Sequence, residues 1–234
     1  LMEIIAEIGQ NHNGDLNLAK EMIHAAKENG AEVAKFQLFD AKALFPKENN
    51  PWYSHNLNAE LSREDAESLY EHCTKTGIEF MASAFDEERI GWLEAMCVKR
   101  HKLASRSITD NNLITTLEQS HKPLLVSLGY WQSENLPEIR SQGGVQFLHC
   151  ISEYPTPLEK VNLSSIDFYG PVKGFSDHTI GISSCIAALA RGASIVEKHF
   201  TMDKKMDGPD HSCSITPDEL LQLSRFRNDL RILL

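Results

Sequence analysis

The sequence contains no run of about 18 consecutive apolar residues, and no positively charged start leads into an apolar stretch. A membrane-spanning helix and a secretory signal are therefore not expected, and a cytoplasmic location is. The five cysteines, Cys73, Cys97, Cys150, Cys185 and Cys213, are odd in number and scattered, with no Cys-x-x-Cys pair. That argues against a disulfide framework or structural zinc and for a reducing compartment. Positive charge is also scarce: 23 Lys and Arg stand against 33 Asp and Glu, for a formal net charge of −10. Nonspecific nucleic-acid binding needs clustered basic side chains, so that class of function is disfavoured. An anionic substrate must instead be drawn in by local lysines against an unfavourable overall field. No linker, low-complexity tract or composition shift marks a second domain, and residues 1–234 read as one domain.

What the chain does have is an alternation, eight times over, of short apolar runs and amphipathic stretches. The runs are Glu3–Ile8, Glu32–Gln37, Glu79–Ser83, His101–Leu103, Pro123–Ser127, Val145–His149, Val172–Phe175 and Ser194–Glu197. Leu18, Ala19, Met22, Ile23 and Ala26 share one face of the first helix, which Asp15 caps and Gly30 ends. Ser62-x-x-Asp65 opens another helix that Gly77 closes, and Thr216-Pro217-Asp218-Glu219 opens the last. Eight β/α repeats in this length predict a closed parallel (β/α)8 TIM barrel. The helices expected within Trp131–Arg140 and Leu158–Ile166 have the weakest patterns, being short and disturbed by Pro137 in the first and by the proline-rich Tyr154–Pro157 ahead of the second. Asp40–Leu61 is too long for a plain connection and reads as a lid or a partner contact.

In such a barrel, chemistry collects at the C-terminal ends of the strands. The polar residues of this chain fall there: Glu7, Lys35 and Gln37, Ser83, Lys102 and Ser105, Ser127, Ser152 and Tyr154, then Ser176, His178, Glu197 and His199. Two imidazoles from consecutive strands emerge side by side, a donor pair suited to a divalent metal. The plainer reading of each is a hydrogen-bonded histidine at a strand end. Lysine inside an apolar strand is costly unless its charge is paired or functional. Lys35 and Lys102 are such cases, and a Lys35–Glu7 salt bridge is the plain alternative to an anion cradle built with the serine hydroxyls. Glu7 is the candidate carboxylate for proton transfer. Asp210, in the loop after the eighth strand, faces bound hydroxyls or simply closes an Asx turn.

Seven motifs, in order along the chain, carry a family resemblance. They are Glu7-Ile8-Gly9-Gln10-Asn11-His12-Asn13-Gly14, Lys35-Phe36-Gln37, Leu148-His149-Cys150, Tyr154-Pro155, Ser176-Asp177-His178-Thr179, Glu197-Lys198-His199-Phe200-Thr201 and Gly208-Pro209-Asp210-His211. Together they resemble the sialic acid synthases, which condense phosphoenolpyruvate with an amino-sugar aldehyde. The resemblance implies a nine-carbon 2-keto acid and phosphate as products. It also implies His178 and His199 as ligands of a divalent metal, Mn2+ or Mg2+. By the same resemblance, Lys35, Ser83, Lys102, Ser105, Ser127, Ser152 and Ser176 hold phosphoenolpyruvate. Glu7, Gln37, Tyr154 and Asp210 face the sugar and the tetrahedral intermediate, and Glu7, Lys102 and His199 are the expected catalytic groups.

Three departures from the family pattern qualify these expectations. Typical members carry a glycine–acid pair after the fourth strand, where this chain has Arg106-Ser107. That leaves Glu7 as the main acid/base candidate and Arg106 as a cation for an anionic substrate group. The small C-terminal antifreeze-like domain of typical members is not found by motif, and with almost no residues before the first strand the customary N-terminal hairpin is not expected in this sequence. The expected partners are thus a homodimer mate or a separately encoded domain of that kind. Two alternatives stand beside the synthase reading: another 3-deoxy-aldulosonate synthase, and a weakly catalytic ligand-binding barrel that needs a partner domain.

Overall fold

The computed structural model describes residues 2–234. Eight parallel strands close into a barrel in sequence order, with β1 (Glu3–Gly9) pairing both β2 (Val33–Leu38) and β8 (Ile195–His199). Between them run β3 (Glu79–Ala84), β4 (His101–Leu103), β5 (Leu124–Ser127), β6 (Val145–Cys150) and β7 (Val172–Asp177). Each strand lies within three residues of its expected bounds. Alternation along a strand sends i and i+2 to the same face. Ile5, Val33, Met81, Leu125, Leu148 and Ile195 therefore meet inside the barrel as an apolar floor. The outward faces pack under the helices in one continuous core.

The helices follow their local signals. α1 (Leu16–Glu28) starts at Asp15, whose carboxylate accepts from the Asn17 and Leu18 amides, and Gly30 follows its end at φ +93°. α2 (Ala41–Leu44) and α3 (Tyr53–Asn58) are short helices within the long 40–61 segment. α4 (Arg63–Thr76) opens on the reciprocal Ser62–Asp65 capping box and ends at Gly77 in the left-handed region. α5 (Glu87–Ala95), α6 (Asn111–Gln119), α7 (Ser183–Ala190) and α8 (Pro217–Leu233) complete the outer layer.

Two expected helices do not form. Residues 128–144 between β5 and β6 contain no helix, and the β6–β7 connection makes only the 3₁₀ turns Leu158–Lys160 and Leu163–Ser165. Pro137 in the first and Pro155 and Pro157 in the second remove amide donors from segments too short to compensate.

Candidate active site

Above the apolar floor, the next inward position of each strand is polar. The i, i+2 step takes Ile5 to Glu7, Val33 to Lys35, Met81 to Ser83, Leu125 to Ser127 and Ile195 to Glu197. β4 contributes Lys102, while β7 contributes Ser176 and then His178 just past its end. These side chains line a cavity of about 300 Å³ at the C-terminal rim. All thirteen residues singled out from the sequence line it: Glu7, Lys35, Gln37, Ser83, Lys102, Ser105, Ser127, Ser152, Tyr154, Ser176, His178, His199 and Asp210.

The floor of the cavity is a buried charge network. Lys35 Nζ lies 2.7 Å from Glu7 Oε2 and 3.6 Å from Glu197 Oε2. Lys102 Nζ lies 3.5 Å from Glu197 Oε1 and donates to Ser127 Oγ at 2.8 Å. The Lys35–Glu7 bridge that the sequence offered as an alternative thus exists, but inside a four-charge cluster that also touches hydroxyls. Lys35 reaches Ser83 Oγ at 3.3 Å, and Ser176 Oγ donates to Glu197 Oε1 at 2.9 Å.

The two carboxyls are driven apart. Burial raises the Glu7 carboxyl more than Lys35 and Gln37 lower it, and the nearby Glu197 charge adds to the rise. Burial also works against Glu197, yet the fields of Lys102 and Lys35 overcome it and hold Glu197 at about 2. Burial dominates at Lys102 and lowers it, whereas at Lys35 the attraction of Glu197 and Glu7 outweighs burial and raises it. The arrangement sets one carboxyl low and the other high within reach of the same lysine.

A second set of polar groups rings the mouth. Gln37 Nε2 donates to Glu7 Oε1 at 2.9 Å, and Asn56 Nδ2 donates to Gln10 Oε1 at 2.9 Å. Gln10 and Gln37 touch at 3.5 Å, so the 40–61 segment is tied through amides to Glu7. That segment also brings Phe45, Asn50 and Trp52 to the cavity wall. On the opposite side Gly129 lies so close to the serines that a Cβ there would come 2.2 Å from Ser152 Oγ. Its amide donates to Ser105 Oγ at 3.0 Å.

His178 and His199 converge, with ring centroids 5.5 Å apart, and the Tyr154 ring lies 4.0 Å from that of His178. His178 Nδ1 is bound to the Ile151 carbonyl at 2.7 Å, which leaves the other ring nitrogen for a ligand. Burial lowers His199 to about 4, so it is neutral at pH 7. Its Nδ1 has no hydrogen-bond partner among the described residues, and Asp210 Oδ2 is 3.9 Å away. The Asp210 side chain makes no capping bond, so the Asx-turn reading does not hold. Among the described residues no third His, Cys, Asp or Glu completes a protein cage for a cation. The two imidazoles are the residues that could hold a divalent cation, with its other positions left to non-protein ligands.

Glu197, Cys150 and Gln10 are among the cavity residues to which the sequence assigned no role. Glu197 lay in plain view in the Glu197-Lys198-His199 motif; two-residue periodicity along β8 was the available signal for its inward face. Cys150, buried with its thiol 3.4 Å from Ser105 Oγ, sits inward by the same rule. Gln10 had no periodic signal, because it lies in the turn beyond β1.

The description "NeuB family" fits residues 22–233 of this chain. N,N'-diacetyllegionaminic acid synthase of Legionella pneumophila is 39% identical, covering 99% of this chain and 72% of that protein. Human N-acetylneuraminate-9-phosphate synthase is 34% identical over 95% of this chain and 68% of its own length. The crystal structure of an N-acetylneuraminic acid (sialic acid) synthetase from Leptospira borgpetersenii, in complex with citrate, superposes with a TM-score of 0.91 at 32% identity. That match covers 99% of this chain and 84% of the other. Nearly the whole barrel, including the rim that gathers these side chains, is shared with sugar-acid synthases, and the chain belongs to the NeuB family.

Proposed function

We propose that the chain condenses phosphoenolpyruvate with an amino-sugar aldehyde to give a nine-carbon 2-keto sugar acid and phosphate. The observation that carries this reading is the single cavity in which two buried lysines and five serine hydroxyls face a histidine pair. Lys35, Lys102 and the hydroxyls of Ser83, Ser105, Ser127, Ser152 and Ser176 hold the phosphate and carboxylate of phosphoenolpyruvate by charge-assisted hydrogen bonds. Ser152 Oγ is buried without a protein partner among the described residues, a donor left for such a ligand. Gln37, Tyr154 and Asp210 orient the acceptor sugar.

In the reaction, C3 of phosphoenolpyruvate forms a bond to the aldehyde carbon, whose oxygen gains a proton. Water adds at C2 and loses a proton. The C2–O bond to phosphate then breaks, phosphate leaves with the bonding electrons, and the C2 hydroxyl loses its proton to become the ketone. Glu7 is the residue assigned to proton transfer, since its carboxyl is raised and lies against Lys35. Lys102 stabilises charge on the departing phosphate. His178 and His199 are the residues to hold a divalent metal, Mn2+ or Mg2+, which when bound supplies Lewis-acid polarisation of the aldehyde oxygen.

The test is phosphate release from phosphoenolpyruvate in the presence of Mn2+, with N-acetylmannosamine, its 6-phosphate and a panel of other aldoses. Sugar-dependent release that chelator abolishes, and that His178→Ala or His199→Ala abolishes, is the expected result. Full activity with chelator present would remove the metal from the reading. If phosphoenolpyruvate binds by calorimetry but no sugar triggers release, the barrel is a ligand-binding subunit instead. Ser107, in place of the acid of typical members, is what favours that second outcome; it is buried and does not line the cavity.

A further inference from the structure

We propose that Arg106 is an anion-recognition residue at the cavity mouth, selecting an acceptor that carries a phosphomonoester over the unphosphorylated sugar. The proposal rests on the condensing reaction above for the identity of the acceptor. It rests on geometry for everything else.

Three basic and three acidic side chains line the cavity: Lys35, Lys102 and Arg106 against Glu7, Glu197 and Asp210. Lys35 is bridged to both glutamates and Lys102 to Glu197. Arg106 has no carboxylate within ion-pair distance among the described residues. It is nonetheless held in place. Its guanidinium carbon lies 5.2 Å from the Phe45 ring centre and 5.9 Å from that of Phe85, and Nη2 meets the Leu44 carbonyl at 3.4 Å. Phe45 and Phe85 both belong to the cavity wall. The remaining guanidinium donors, a planar fork matched to phosphate oxygens, have no protein acceptor among the described residues.

The position on the barrel says which substrate group it meets. Strands follow in order around the closed barrel, so β4 stands directly across from β8. Arg106 is in the 3₁₀ turn Ser105–Ser107 just after β4, and His199 ends β8. An acceptor whose aldehyde lies at the histidines extends its remote end across the mouth toward Arg106. Ser105 beside it is buried and belongs to the deeper serine–lysine cradle, whereas Arg106 is exposed at the rim. The two anion sites are therefore at different depths. A net charge of −10 repels an anionic acceptor at long range, and a local guanidinium offsets that at the point of contact.

The experiment compares N-acetylmannosamine with its 6-phosphate on the whole chain with Mn2+, by calorimetry without phosphoenolpyruvate and by phosphate release with it. Wild-type protein should prefer the 6-phosphate, and Arg106→Gln should weaken it about 10–100-fold while moving N-acetylmannosamine less than about 2-fold. Arg106→Lys, which keeps the charge and loses the fork, should fall between. Phosphoenolpyruvate affinity should be unchanged in both variants. No preference in the wild type, an equal loss for both sugars, or a loss of phosphoenolpyruvate affinity would each overturn the proposal. Because calorimetry needs no turnover, an inactive wild type with an Arg106-dependent 6-phosphate preference would reject the condensing reaction and keep this subsite.

Discussion

Glu7 and Glu197 face the barrel interior beside the same lysine, yet burial wins at one and the lysine fields win at the other. For Glu7 the folded carboxyl lies above its ordinary value, so the fold favours its protonated form. As pH rises past the ordinary value and then the folded one, ionisation of Glu7 costs stability rather than adding it. Glu7→Gln keeps a neutral acceptor for Gln37 and removes that cost. The variant should retain or raise its melting temperature at pH 7 while phosphate release falls by about 10²–10⁴-fold. A large loss of melting temperature would mean that the Lys35 pair is a net structural asset. Glu7 was readable from the sequence as a polar residue ending an apolar strand. The role of Glu197 was not, because only the closed barrel shows that it lies between Lys35 and Lys102.

The strand ends are positioned by groups that never touch the cavity. Asp177 and Lys198, each beside a cavity histidine in sequence, point outward and pair at 2.8 Å in complete burial. Asp177 also accepts from Ser184 Oγ at 2.6 Å near the start of α7, which locks β7, β8 and that helix together. This pair was legible only as two charged residues inside motifs; their outward direction follows from the alternation that sends the histidines inward. The β5–β6 connection shows the converse. A helix was expected there, but the chain forms an irregular segment whose Gly129 gives the serines room. Gly129→Ala should lower phosphoenolpyruvate affinity by at least about 10-fold, since a Cβ 2.2 Å from Ser152 Oγ must displace the cradle. Unchanged affinity by calorimetry would show that Ser152 takes no part in it.

Across the whole molecule, stability and chemistry sit at opposite rims, as the barrel architecture allows. At the N-terminal rim Arg227 of α8 reaches Glu32 before β2 at 2.6 Å and the Gly30 carbonyl at 3.0 Å. This tie joins residues 195 apart in sequence and helps the last helix close the barrel on the first unit. Arg227→Leu should cost about 1–3 kcal/mol in chemical denaturation, because the Gly30 carbonyl loses its guanidinium donor and Glu32 keeps only the Ile4 amide at 2.9 Å and the longer Arg231 contact at 3.4 Å. Turnover of the folded variant should be unchanged. A drop in turnover without loss of stability would show coupling between the rims.

The sequence by itself determined the eight strands, the caps of the main helices and the polar residues that end the strands. These depend on local periodicity and short-range hydrogen bonding, which a linear pattern records. It could not specify which charges meet. The Lys35–Glu7–Glu197–Lys102 cluster, the tie from Asn56 through Gln10 and Gln37 to Glu7, and the seating of Arg106 between two phenylalanines join distant segments. Only barrel closure brings those side chains within a few ångströms, and only burial there sets one carboxyl against the other.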